Sequence, residues 1–173
     1  TEAIVGQYDG SREILAVPLA LISLSISQVL MQKIVEDSSE NRPIGKLMRN
    51  NALFLIVLGI IGIGIFYPFG KPIFQFVFGD QWALAGEMSS ILVFSYAIRF
   101  VVSPLSIVFT ALKKLKWAAY WQIGYFLLML NLLWIEGFQI KDFLEIFVMI
   151  DVFAYTVYGI LIYLLVKRQD NSI

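Results

Sequence analysis

Arg99 stands in the run IRFVVSPLSIVF, residues 98–109, and its nearest charged neighbours along the chain are Glu87 and Lys113. A guanidinium in the middle of an apolar helix costs roughly 2.5–3.5 kcal/mol on insertion scales, unless protein, water or an anion faces it. What it offers in return is a rigid planar fork. That fork donates paired hydrogen bonds to a carboxylate or a phosphate. Two readings of Arg99 stand side by side: a group that meets an anionic cargo, or a cation that snorkels or pairs for structural reasons.

Asp151 is the second such residue, inside the apolar stretch 143–166. Its carboxylate is either the partner of Arg99, a site for a proton or cation in a transporter, or a structural group facing a cavity. At about 1.5 Å per residue, Arg99 falls roughly 24 Å along a helix starting at Ala83, and Asp151 about 12–14 Å into its own. That difference in depth leaves a direct pair open. Ser23 and Ser27 follow Ala16 and Ala20 at helical spacing. The stripe reads as one wall of a hydrophilic cavity or as a small-residue packing face. Arg99, Asp151, Ser23 and Ser27 are the candidate substrate-binding residues.

Other chemistry is absent from the composition. The 173 residues include no Cys and no His. Thiol nucleophiles, disulfides, thiolate metal sites and imidazole bases are therefore excluded. No catalytic residue, metal ligand or cofactor site is expected, and the chain is read as a non-enzyme. The formal net charge is zero, which gives no case for a nucleic-acid partner.

The elements that carry these residues are membrane helices. Apolar residues make up 59% and charged residues 15% of the chain, with mean hydropathy +0.78. Soluble domains hold roughly 45–50% apolar and about 25% charged residues. Crossing about 30 Å of hydrocarbon takes about 20 mostly apolar residues. Five segments meet this: 14–34, 50–69, 83–112, 117–136 and 143–166. None alternates polar and apolar with period two, as a barrel strand would. The expected fold is an all-α polytopic bundle of five transmembrane helices.

Lys and Arg collect on the cytoplasmic side of such proteins. Lys33, Arg42, Lys46 and Arg49 follow the first span, Lys113, Lys114 and Lys116 the third, and Lys167 and Arg168 the fifth. The opposite loops hold Arg12, Lys71 and Lys141. The implied topology has the N-terminus outside and the C-terminus in the cytoplasm. Tyr67, Trp82 and Trp134 fall near outer ends, and Trp117, Tyr120, Trp121 and Tyr163 near inner ends, as amphipathic rings prefer. The start of the chain, TEAIVGQYDG, lacks Met and a signal-peptide pattern and reads as an internal cut, so the chain is expected to be a fragment.

Local signals complete the picture. Pro68, Gly70 and Pro72 are expected to end the second helix. Asp80 is a candidate N-cap for the third. Pro104 is expected to bend that helix, with Ser103 and Ser106 near enough to supply a hydrogen bond. Gly59, Gly62 and Gly64 read as packing or hinge positions. Glu87 and Glu145 read as interfacial, and VEDSSENRPIGK as a solvated connection.

Two stretches also resemble a known family. VGQYDGSREILAVPLALISLSISQVLMQK and VFGDQWALAGEMSSILVFSYAIRFVVSPLSIVFTAL are similar to conserved stretches of oligosaccharide flippases of the lipopolysaccharide and O-antigen type. Phe78, Gly79, Trp82, Ala85, Gly86, Arg99, Ser103 and Pro104 carry the second match. The resemblance covers most of residues 5–125 and fades afterwards. It implies the superfamily of multidrug, oligosaccharidyl-lipid and polysaccharide exporters, built as two bundles of six helices with alternating access. The chain would be the last five helices of the second bundle, with the N-terminal bundle and one more helix missing. The resemblance further implies an inner-membrane flippase for oligosaccharide carried on polyprenyl pyrophosphate, serving cell-surface polysaccharide biosynthesis.

In that setting Arg99 would meet the pyrophosphate, and the cargo and the surrounding membrane lipids would be the partners. Lys113, Lys114 and Lys116 would attract anionic lipid at the inner mouth or serve as topology determinants alone. The alternatives are a cation- or proton-coupled drug antiporter of the same superfamily, with Asp151 carrying the ion, and a membrane enzyme acting on lipid-linked sugars. The enzyme is disfavoured, because the loops are short and hold no acidic or His cluster.

Overall fold

The computed structural model describes residues 2–134 and 139–172. Among them the chain is all helical: α1 (Glu2–Ser39), α2 (Gly45–Phe78), α3 (Ala83–Leu105), α4 (Ile107–Ala111), α5 (Leu115–Leu130) and α6 (Ile140–Asp170). Short 3₁₀ turns cover Asp80–Trp82 and Asn131–Trp134. Four stretches, Val5–Ser39, Gly45–Phe78, Asp80–Ala111 and Ile140–Asp170, are long and apolar enough to cross a membrane. The chain is a multi-pass helical membrane protein. The fifth expected span is α5 with its 3₁₀ extension, 16 residues of α-helix ending in Asn131–Trp134. Its expected end at residues 135–136 lies outside the described residues.

Helix α3 is the hub. It packs against α1, α2 and α6, while α5 lies on α6 and α4. Buried side chains follow this arrangement. Leu55, Phe100, Val108, Phe109 and Ile162 belong to one cluster, and Leu15, Met88, Leu92 and Leu144 to a second. In lipid such packing gains by close van der Waals fit, since acyl chains are as apolar as leucine. The α2–α3 crossing shows it: Gly70 and Gly86 are buried, and an added Cβ on Gly86 would stand 2.5 Å from Lys71 Cα.

Three local expectations change. Helix α2 does not stop at Pro68, Gly70 and Pro72 but runs on to Phe78. A membrane helix keeps an internal Pro when neighbours satisfy the backbone around it. The helix is held there by packing on α3: the Gly70–Gly86 contact lies in this stretch, and the Ser90 hydroxyl donates across to the Phe66 carbonyl at 3.0 Å. The carbonyls that the two prolines free are those of Gly64 and Pro68. Asp80 does not cap α3. Its carboxylate accepts from Gln75 Nε2 at 3.1 Å, and the free Ala85 N–H donates to Gln7 Oε1 at 3.0 Å. Gln7 also donates to the Gln81 carbonyl, so α1 holds the start of α3 from outside it. The connection after span one is shorter than expected, because α1 continues through Ser39. Arg42 then folds back onto Asp37 and Glu40, at 2.8 and 2.7 Å. Pro104 lies inside α3, near its end, and a one-residue turn at Ser106 separates α3 from α4, where Ser106 Oγ donates to the Ser103 carbonyl at 2.7 Å.

Two distant ends of the chain meet. Asp170, at the end of α6, accepts from the Ile44 and Gly45 N–H groups at 2.8 and 2.9 Å. It supplies the acceptors that the first turn of α2 lacks within its own sequence. The start of α2 and the end of α6 therefore share one face of the bundle, which carries Lys46, Arg49, Lys167 and Arg168. At the other end, Lys71 pairs with Glu87 at 2.6 Å.

Candidate functional site: an intramembrane ion pair beside a hollow

Arg99 and Asp151 lie within the bundle and form a forked pair. Arg99 Nε donates to Asp151 Oδ2 at 2.5 Å and Nη2 to Oδ1 at 2.8 Å. Depth counted along the two helices does not separate them, because helical side chains lean towards the N-terminus. The guanidinium therefore sits near the level of Ser95, about 18 Å from Ala83, and Asp151 lies about 16–17 Å from Ile140. Asp151 is fully buried.

The carboxylate is saturated. Tyr125, on α5, donates its hydroxyl to Oδ1 at 2.7 Å, and Ser95 donates to Oδ2. With the two guanidinium bonds this fills about four lone-pair sites. The Tyr125 oxygen also accepts from Arg99 Nη2 at 2.8 Å. The network joins three helices: Ser95 and Arg99 from α3, Tyr125 from α5, Asp151 from α6. Such completeness is required, because a buried charge without partners costs several kcal/mol.

Arg99 keeps spare capacity. Its Nη1 carries two N–H groups that have no acceptor among the described residues, and every buried side-chain nitrogen or oxygen there has a partner. The Arg99 side chain is 32% exposed. Phe147 and Tyr155 flank the guanidinium, with ring centroids 5.8 and 5.4 Å from Cζ. Arg99 also helps line a hollow of about 370 Å³ between α1 and α3, with Ala16, Ala20, Ser23, Tyr96 and Ser103.

The small-residue stripe of α1 divides at this hollow. Ser23 lines it. Ser27 does not, and its hydroxyl donates to the Ser23 carbonyl of its own helix at 2.8 Å. Gly59 packs near Ala97 and Val101, whereas Gly62 and Gly64 face open space. Glu87 and Glu145 lie exposed, beside Lys71 and Lys141.

Two members of the network were not singled out from sequence. Ser95 is four residues before Arg99, hence on the same helix face, and that spacing marks it. Tyr125 lies mid-span, where a hydroxyl must find a partner. Next to it, Trp121 is no free interfacial anchor: its Nε1 donates to the Ala154 carbonyl at 3.0 Å, and its ring stacks on Tyr158 and Tyr125. Among the described residues no group of three or more acidic side chains converges as a metal site would.

Fold and site together define a multi-pass helical membrane protein with a neutralised ion pair at depth and a hollow at its side. No family model, curated protein or solved structure matches the chain.

Proposed function

We propose that the chain is part of an inner-membrane flippase that moves oligosaccharide on polyprenyl pyrophosphate towards the cell surface, with its C-terminus in the cytoplasm. The single observation that carries this reading is the state of Arg99. Asp151 holds one edge of the guanidinium, and the other edge keeps unpartnered N–H groups on a side chain that lines a hollow. An isolated pyrophosphate cannot cross hydrocarbon without replacement of its hydration. A guanidinium whose position is fixed on one side and open on the other is suited to that replacement.

In this reading Asp151, Tyr125 and Ser95 are positioning residues. They neutralise and orient Arg99, while Ser23 and Ser103 supply hydroxyls on the wall of the hollow. The sequence stretches named above support the cargo class, and the collection of Lys and Arg on one face supports the orientation.

A second reading draws on Asp151. A buried carboxylate inside a membrane helix suits proton or cation coupling, as in a drug antiporter. The saturation of its oxygens by four donors weighs against direct cation binding.

The two readings separate on export by the full-length protein in cells, with Arg99→Lys and Arg99→Ala compared at matched protein levels. The flippase reading expects Arg99→Ala to lose surface polysaccharide at least tenfold and Arg99→Lys to keep part of it. Normal export by both variants would end the head-group role of Arg99.

A further inference from the structure

A second cavity, of about 390 Å³, lies between α2 and α6 and shares no lining residue with the hollow at Arg99. Its wall is apolar along its length: Met48 and Ala52 from α2, Ile162 and Val166 from α6. At its inner end stand Arg49 and Lys167, both exposed and neither in an ion pair among the described residues. The one carboxylate in the wall, Asp170, is occupied with the Ile44 and Gly45 N–H groups. The groove is thus a greasy slot with two free cations at its mouth. Tyr163, which also lines it, is an amphipathic ring at the same level.

We propose that this groove is a binding site for an anionic phospholipid. An acyl chain would lie between α2 and α6, and Arg49 and Lys167 would hold the phosphate. Several observations select this occupant. The groove runs between two membrane helices and its wall is apolar, as an acyl chain requires. Its size falls in the roughly 300–1,000 Å³ range of ligand pockets. Its charge is cationic where a headgroup would lie, and basic pockets between helices at the cytoplasmic side take anionic headgroups, at about 1 kcal/mol of attraction per Lys or Arg. A zwitterionic headgroup brings a positive group that the same cations repel. The site is built without Arg99 or Asp151 and does not depend on the cargo.

The site also touches folding. A lipid seated there would bridge α2 to α6 at the point where Asp170 already joins them.

The test is native mass spectrometry of the full-length protein in detergent, titrated with phosphatidylglycerol or phosphatidylcholine. Wild type is compared with Arg49→Gln/Lys167→Gln and with the charge-matched control Lys33→Gln/Lys46→Gln, two exposed cations outside the groove, each checked for helicity and melting. The expected result is preferential retention of phosphatidylglycerol by wild type and by the control, and an apparent affinity reduced at least tenfold in Arg49→Gln/Lys167→Gln. Equal retention of both lipids by wild type overturns the proposal. So does an equal loss in the control pair, which would mark diffuse surface charge, or full retention by the groove variant.

Discussion

Gly86 of α3 faces Gly70 of α2 with no room for a side chain: a Cβ built on Gly86 would lie 2.8 Å from the Gly70 carbonyl oxygen. The neighbouring atoms are backbone and cannot step aside. This contact fixes the crossing of α2 over the hub helix, and with it the position of Ser95 and Arg99 farther along α3.

Gly86→Ala is therefore expected to lower stability by about 1–3 kcal/mol, the usual cost of forcing volume into a packed contact. Gly62→Ala, on the same α2 helix, has nothing within 4 Å of the new Cβ. It is expected to be neutral or slightly stabilising, by up to about 1 kcal/mol. Thermal unfolding of both variants in one detergent checks the contrast. Equal melting of the two would remove the crossing as the constraint.

The Arg99–Asp151 pair makes a prediction about folding that is separate from transport. Asp151→Ala leaves a guanidinium inside the membrane without its counter-charge, and breaking a buried pair in this way typically costs about 3–5 kcal/mol. The partial exposure of Arg99 to the hollow places the expected loss at the low end of that range. Removing both partners in Asp151→Ala/Arg99→Ala is expected to be less damaging than removing Asp151 alone. A double-mutant cycle on unfolding in detergent reads this directly. Additive losses would mean that the two groups are not coupled.

Much of this arrangement is legible in the residues. Hydropathy marks where the chain crosses the membrane, because the bilayer demands about 20 apolar residues whatever the fold. Helix limits are less legible. Pro68 and Pro72 read as stops, yet α2 runs past them where it packs closely on α3 around Gly70. Asp80 has the chemistry of a cap, but Gln7, 78 residues away from Ala85, reaches the free N–H instead. A contact from so far along the chain leaves no local trace. Arg99 and Asp151 announce themselves by charge, while their pairing depends on the lean of a side chain and on which helices are neighbours. Ser23 and Ser27 share a stripe in sequence, and only the approach of α3 decides that Ser23 lines the hollow.

Water in that hollow can be examined with single cysteines, since the chain has none of its own. Ser23→Cys and Ser103→Cys are expected to react with a membrane-impermeant thiol reagent. Ser25→Cys, at nearly the same depth on α1 but outside the hollow, is expected to react at least tenfold more slowly, because its apolar neighbours Leu21 and Val29 on that face are exposed as a lipid-facing surface would be. Similar rates at all three positions would show that the hollow is not a distinct aqueous space.

The most direct measurement is equilibrium binding of a polyprenyl-pyrophosphate oligosaccharide to the purified full-length protein, with wild type, Arg99→Lys and Arg99→Ala compared. A guanidinium that meets the pyrophosphate predicts affinity weakened at least tenfold in Arg99→Ala and less so in Arg99→Lys, with all three proteins folded. Unchanged affinity in a folded Arg99→Ala protein would contradict the account, leaving Arg99 as a structural partner of Asp151.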